Sequence, residues 1–190
     1  MGTVRLKKTP VLNAANALTV VRIVLIPVFV ALVIASEMTD PWLRVASGIA
    51  FSVASITDYV DGWVARRFEL VTSFGKVADP IADKALTGSA LVLLSAYGVL
   101  PWWITLVILV REWGITLMRF SMLKYGVIAA SRGGKLKTVL QIAAIAWYLF
   151  PFPSPWSAVG IVLMYAALIV TVVTGIDYVV AAYRLRRESQ

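Results

Sequence analysis

Apolar stretches long enough to cross a bilayer recur six times along this chain, and nothing else in it constrains the fold as strongly. A helix rises about 1.5 Å per residue, so about 20 apolar residues span a hydrocarbon core of about 30 Å. Runs of that kind fall at roughly 17–36, 42–65, 76–99, 101–123, 138–153 and 155–181, the fifth being short and ending in PFPSP. In 190 residues, six spans leave no room for a separate soluble domain. The expected fold is one all-α, polytopic transmembrane domain over 1–190, with residues 1–16 as a cytoplasmic arm. Composition agrees, since 60% hydrophobic residues and a mean hydropathy of +0.84 are too apolar for an ordinary soluble domain. The first run follows basic residues in the manner of a signal peptide. Arg22 and Pro27 interrupt it and it is longer than such a core requires, so it reads as a retained helix.

Charge sets the orientation. Arg5, Lys7 and Lys8 precede the first run, Arg66, Arg67 and Lys76 flank the second connection, and Lys124, Arg132, Lys135 and Lys137 surround the fourth. Arg184, Arg186 and Arg187 follow the sixth run, whereas the first connection mixes Glu37, Asp40 and Arg44, and the surroundings of Gly98 and Ser154 are uncharged. Lysine and arginine mark cytoplasmic loops, so both termini and the even-numbered connections are expected in the cytoplasm. The net charge of +8 then reflects topology and anionic lipid, not nucleic acid. Trp102, Trp103, Trp147, Tyr148 and Trp156 gather at the opposite ends as an interfacial belt.

Cysteine and histidine are both absent. Thiolate zinc sites, disulfides, cysteine nucleophiles and histidine bases are thereby excluded, and acid–base or metal chemistry must rest on carboxylates. Four of the chain's six aspartates lie between Asp58 and Asp83. Asp58 and Asp61 are one turn apart on one helix face, as are Asp79 and Asp83 on the next. All four fall within about 10–12 Å of the turn joining two antiparallel helices. Like charges so placed need cations, because repulsion and desolvation would otherwise protonate some of them. Hard oxygen ligands suit Mg²⁺, Mn²⁺ or Ca²⁺, and such a quartet can hold two ions about 4 Å apart. Magnesium shares its shell with substrate phosphates, which points to phosphoryl transfer at a membrane surface.

Gly62, Ala65 and Gly75 leave space beside the carboxylates, either for a ligand or for close helix packing, and Arg66 can clamp a phosphate. Asn16, Thr19 and Arg22 form one polar stripe entering the first helix. Arg111, Glu112 and Arg119 lie in the fourth run and Asp177 in the sixth. Ionisable groups inside spans are functional candidates, though buried pairs that fix packing explain Arg111, Glu112 and Asp177 equally well. The stretch SRGGKLKTVLQ, 131–141, puts Arg132, Lys135 and Lys137 on a flexible turn before the fifth helix. Those charges serve either as a positive-inside anchor or as a site for a phosphate-bearing substrate.

The pattern Asp58-x-x-Asp61-Gly62-x-x-Ala65-Arg66, eight residues, then Gly75-x-x-x-Asp79-x-x-x-Asp83, resembles the complete signature of the CDP-alcohol phosphotransferases. The resemblance implies a six-helix membrane fold, usually homodimeric, with a divalent-metal site open to the cytoplasm. It implies transfer of a substituted phosphoryl group from a CDP-linked donor to an alcohol, releasing CMP. Asp58, Asp61 and Asp79 would hold two ions, Mg²⁺ or Mn²⁺. Asp83 would complete that set and act as base, and Gly62, Ala65, Arg66 and Gly75, with Asn16 and Thr19, would bind the donor. The flanking stretches NALTVVRIVLIP, REWGITLMR, GKLKT and TGIDY resemble those members of the family that use CDP-diacylglycerol and sn-glycerol 3-phosphate in the bacterial inner membrane. Arg111, Arg119, Lys135 and Lys137 would then receive the acceptor phosphate, with Arg22, Glu112 and Asp177 behind them.

Inositol phosphate is the alternative acceptor within the family. Serine carries no phosphate, so the basic cluster argues against it. A cation transporter is the rival from another class. Transport sites lie near the midplane between inverted repeats, whereas these carboxylates sit toward one face and the chain has no matching repeat.

Overall fold

The computed structural model describes residues 14–67, 73–122 and 132–188, and the side chains of 14–17, 61–66, 73–78, 120, 132 and 188 lie outside that description. The described residues form six helices and no strands: α1 (Ala14–Ser36), α2 (Pro41–Arg67), α3 (Ser73–Ala96), α4 (Trp102–Met122), α5 (Arg132–Leu149) and α6 (Ser157–Glu188). These helices match the six apolar runs, with two differences of substance. α5 begins at Arg132, so Lys135 and Lys137 stand on a helix and not on a flexible turn, and Gly133 and Gly134 are helical. α6 continues past residue 181 to Glu188, taking Arg184, Arg186 and Arg187 into its last turns. Two helices, over Leu18–Ser36 and Ser157–Arg187, are long and apolar enough to cross a membrane on length and composition alone. The other four have charged and polar residues within their apolar stretches, which lowers the apolarity of any single window, whereas most of the charges of α6 gather in its last turns.

The helices start and stop for local reasons. Asp40 caps α2: its Oδ1 accepts the N–H groups of Trp42 and Leu43, each at 2.9 Å, and Pro41 opens the helix where a missing donor costs nothing. Ser36 closes α1, its Oγ donating to the Val33 carbonyl at 2.8 Å and accepting the Met38 N–H at 3.1 Å. Gly98 (φ +72°) turns the chain between α3 and α4 in the left-handed region glycine adopts without strain. Arg44 crosses from α2 to the end of α5, donating to the carbonyls of Tyr148 at 2.9 Å, Leu149 at 3.3 Å and Phe150 at 3.4 Å.

The core lies between the helices. Phe29 of α1 and Phe51 of α2 are fully buried, with ring centroids 5.5 Å apart. Leu91 and Leu94 of α3, Ile108 of α4 and Ile145 of α5 continue the same cluster. α3 and α4 are also joined by a buried hydrogen bond between the Ser95 and Thr105 hydroxyls (2.7 Å), the kind of polar contact that ties helices where water is absent. The outside is as apolar as the inside: Val24, Ile56, Ile81, Val110, Val139 and Val162, one from each helix in turn, are all exposed. Apolar surface on every helix is far more than a water-facing monomer carries.

Gly48 of α2 lets the bundle close at the Arg44 end. A Cβ there would stand 3.1 Å from the Phe150 ring. Gly48→Val is expected to destabilise the fold by about 1–3 kcal/mol through overpacking, measured by thermal unfolding in detergent. Phe150→Ala in the same chain is expected to recover part of that loss.

Candidate active site

One helix, α1, reaches an aspartate on each of its two neighbours. α2 and α3 are consecutive neighbours, and α1 packs on both. Thr19 and Arg22 are three residues apart and so share one face of α1. The Thr19 hydroxyl donates to Asp79 Oδ1 at 2.9 Å. The Arg22 guanidinium meets Asp58 Oδ1 at 2.5 Å, with its own side chain 0% exposed and that of Asp58 39% exposed. A guanidinium with no contact to water demands an anion beside it, so its burial fixes the Asp58 carboxylate. Asp83, one turn beyond Asp79, lies in the electrostatic field of Arg22, of Glu112 and Lys137 across the bundle, and of its neighbour Lys84. Pro80 stands between Asp79 and Asp83 and, lacking an N–H, leaves one carbonyl of the preceding turn without its helical donor.

A second cluster of charges is built by α4, α5 and α6. Glu112 of α4 accepts through Oε1 from two cations, Lys137 Nζ of α5 at 2.5 Å and Arg111 Nη1 at 3.1 Å. Arg111 Nη2 also donates to Thr174 Oγ1 of α6 at 2.9 Å. Gly175 makes room for that arginine, since a Cβ there would lie 3.2 Å from Arg111 Cγ. One carboxylate between two cations leaves a net positive charge, held by three helices and near enough to Asp83 for Glu112 and Lys137 to act on it electrostatically. That arrangement suits a dianionic phosphate at the edge of the carboxylate site.

The remaining predicted residues are spread more widely. Arg119 is exposed and its guanidinium lies 5.4 Å from the centroid of the Tyr178 ring. Lys135 is exposed, and at two residues from Lys137 it cannot share that residue's helix face. Asp177 is exposed on α6, with no ion pair among the described residues. The side chains of Asn16, Asp61, Gly62, Ala65, Arg66 and Gly75 lie outside the described residues. Sequence reasoning did not single out Thr174 or Tyr178, although TGIDY spaces them one turn apart on the face that meets α4.

Among the described residues no three carboxylates stand close enough to be a ready-made metal cluster. The donor set that Asp58, Asp79 and Asp83 present is nevertheless all hard oxygen, with neither thiolate nor imidazole in the chain to compete. These residues fit a magnesium-like ion and not a thiophilic one.

The sequence profile of the CDP-alcohol phosphatidyltransferase family matches residues 12–173. A "probable phosphatidylglycerophosphate synthase" of Mycobacterium tuberculosis is 46% identical over 172 residues, covering 90% of this chain and 82% of that protein. A "CDP-diacylglycerol--glycerol-3-phosphate 3-phosphatidyltransferase" of Bacillus subtilis is 38% identical over 179 residues, covering 87% and 93%. A Shigella flexneri protein of the same name is 38% identical over 177 residues, covering 90% and 94%.

The Arg22–Asp58 contact yields a test of coupling. Arg22→Met and Asp58→Asn are each expected to lower the melting temperature, and together to lower it by less than their sum. The coupling expected between groups in direct contact is about 1–3 kcal/mol. Additive losses would show that the two side chains do not depend on one another.

Proposed function

The chain belongs to the CDP-alcohol phosphatidyltransferase family and is a phosphatidyltransferase, and from that premise we propose that it moves the phosphatidyl group of CDP-diacylglycerol to sn-glycerol 3-phosphate. The names of its relatives in Bacillus subtilis and Shigella flexneri support that choice of donor and acceptor. The single observation that carries the acceptor is the Glu112-centred pair of cations, Arg111 and Lys137, set within the field of Asp83. Serine, a zwitterion without a phosphate, brings no net negative charge to that pair.

The chain's own residues divide the work by position. Arg111 and Lys137 bind the acceptor phosphate and so bring its primary hydroxyl toward Asp83. Asp83 accepts the hydroxyl proton as the oxygen bonds to the donor's β-phosphorus, the one that carries diacylglycerol. The bond from that phosphorus to the bridging oxygen breaks, and CMP departs with the electron pair. Arg66 holds the diphosphate. Asp58, Asp61, Asp79 and Asp83 would hold two divalent ions, Mg²⁺ or Mn²⁺. When bound, such ions neutralise charge on the transferring group and on CMP. Direct attack needs no enzyme nucleophile, consistent with a chain that has neither cysteine nor histidine. Most of the rate then comes from positioning and fixed charge.

The membrane arrangement belongs to the same proposal. The chain is a single domain of six spans in the bacterial inner membrane, with both termini and the carboxylate end in the cytoplasm. The apolar outer faces of the helices support this, and one of those faces would pair two copies as a homodimer. CDP-diacylglycerol keeps its acyl chains in lipid while its diphosphate reaches the site from the cytoplasmic leaflet.

Purified protein in detergent with both substrates tests the reading. Asp83→Asn is expected to lower turnover at least ~100-fold, the usual span of a lost general base, and chelation of divalent ions to abolish it. Near-normal turnover in Asp83→Asn would remove that residue from the base role. Lys137→Met is expected to raise KM for sn-glycerol 3-phosphate about tenfold or more, the loss of one charge-assisted contact, with little change for CDP-diacylglycerol. A panel of radiolabelled sn-glycerol 3-phosphate, inositol phosphate and serine is expected to label product only from the first. Product from inositol phosphate instead would reassign the acceptor.

A further inference from the structure

At the far end of the bundle from the aspartates lies a half-open cavity of about 440 Å³. Arg44, which contributes to its wall, is 14 residues before Asp58 on α2, or about 21 Å along the helix. None of the residues named above for catalysis takes part in it. Its volume falls within the range of cavities that hold small molecules, about 300–1,000 Å³.

The wall is held by ring contacts and a hydrogen bond. Trp147 stacks on Phe152 with centroids 4.4 Å apart and donates its indole N–H to the Trp156 carbonyl at 2.9 Å. The Tyr165 ring sits against Trp103, with centroids 6.3 Å apart. Along α6, Ser157, Ile161 and Tyr165 all line the cavity and recur every four residues. They therefore make one stripe running about 12 Å from the helix start into its apolar length. The cavity thus combines a cation and hydroxyl groups with aromatic and aliphatic walls.

Its charge is unbalanced. Arg44 donates to three carbonyls at the end of α5, but the dipole of a helix end offsets only about half an elementary charge. No carboxylate lines the cavity. Asp40, the nearest acid along the chain, uses a carboxylate oxygen to cap α2. The Tyr148 and Tyr165 rings lie close enough to influence one another, and neither hydroxyl has a hydrogen-bond partner among the described residues. Donors and a residual positive charge at the mouth ask for an oxyanion. An apolar stripe below the mouth, flanked by exposed Trp102, Trp103 and Trp156, asks for a chain that continues into lipid.

We infer that this cavity binds an anionic phospholipid, its phosphate at Arg44 and the first part of an acyl chain along Ile161 and Tyr165. The lipid comes from the leaflet opposite the carboxylates, an assignment that rests on the six-span arrangement proposed above. The site would make the protein's stability depend on the anionic lipid of that leaflet, separately from its substrates.

The test uses the detergent-solubilised full chain and three probes: dihexanoyl-phosphatidylglycerol, dihexanoyl-phosphatidylcholine and inorganic phosphate. Phosphatidylglycerol is expected to bind saturably, with a change in tryptophan emission and a raised melting temperature, at least tenfold more tightly than phosphatidylcholine. Inorganic phosphate alone is expected to do neither. Ser157→Trp, on the exposed first turn of α6, fills the mouth and is expected to weaken phosphatidylglycerol at least tenfold while turnover on CDP-diacylglycerol continues. Arg44→Gln is expected to abolish the preference for phosphatidylglycerol, and Arg44→Lys to keep most of it. Equal binding of the two lipids, saturation by inorganic phosphate alone, or unchanged phosphatidylglycerol affinity in Ser157→Trp would each overturn the inference. Retained turnover in Ser157→Trp separates that failure from any failure of the catalytic reading.

Discussion

A guanidinium with no solvent exposure lies between the first two helices, and its charge has to be answered where it sits. Removing an ion from water costs several kcal/mol even after the surroundings relax, so Arg22 and Asp58 are energetically one object. Three residues earlier Thr19 reaches Asp79 on α3. Through these two contacts α1 acts as a splint, holding a carboxylate from each of its neighbours at a fixed place. The opposite face of the same helix shows Val20, Val24 and Val28 to the outside. One short stretch of sequence therefore satisfies lipid on one side and a cluster of charges on the other. The rest of the polar end is assembled around that splint, with Asp83 one turn farther along and the Glu112 group across from it.

How much of this was legible in the sequence follows from the range of each interaction. Helix number and order come from apolar length, a local property, and the described helices agree with it. Paired aspartates at helical spacing are also local, as is Asp40 acting on residues two and three ahead. The segment 131–141 misled because two adjacent glycines read as a turn, each costing a helix about 1 kcal/mol relative to alanine. Packing of α5 on α6, and the need to satisfy every backbone group away from water, outweigh that preference. Glu112 shows the opposite limit. Its partner Lys137 is 25 residues away, and Thr174 is 63 residues from the Arg111 it positions. No periodicity within one helix encodes such a meeting. The sequence supplied the candidates, and only the packing of α4, α5 and α6 sorted Lys137 from Lys135.

The two ends of the bundle are held by different means. At the aspartate end, contacts run between ionised side chains on separate helices. At the other end, side chains meet backbone: Ser36 and Asp40 cap their own helices, and Arg44 gathers the last carbonyls of α5. Backbone capping is insensitive to whatever occupies the active end. At the capped end the backbone groups are answered locally, while the Arg44 guanidinium keeps a charge that no carboxylate in the cavity wall meets.

α5 has 18 residues, about 27 Å of helix, beside an α6 of 32 residues, about 48 Å. In the six-span arrangement proposed above, a hydrocarbon layer of about 30 Å would not match both and would thin around the shorter one. Lys137 rides on that short helix, about one and a half turns from its start. The surrounding bilayer would form a shallow dimple there. Within it, headgroup and water would come down to the reacting groups, and a hydrophilic acceptor would not have to enter oil to meet a partner anchored by its tails.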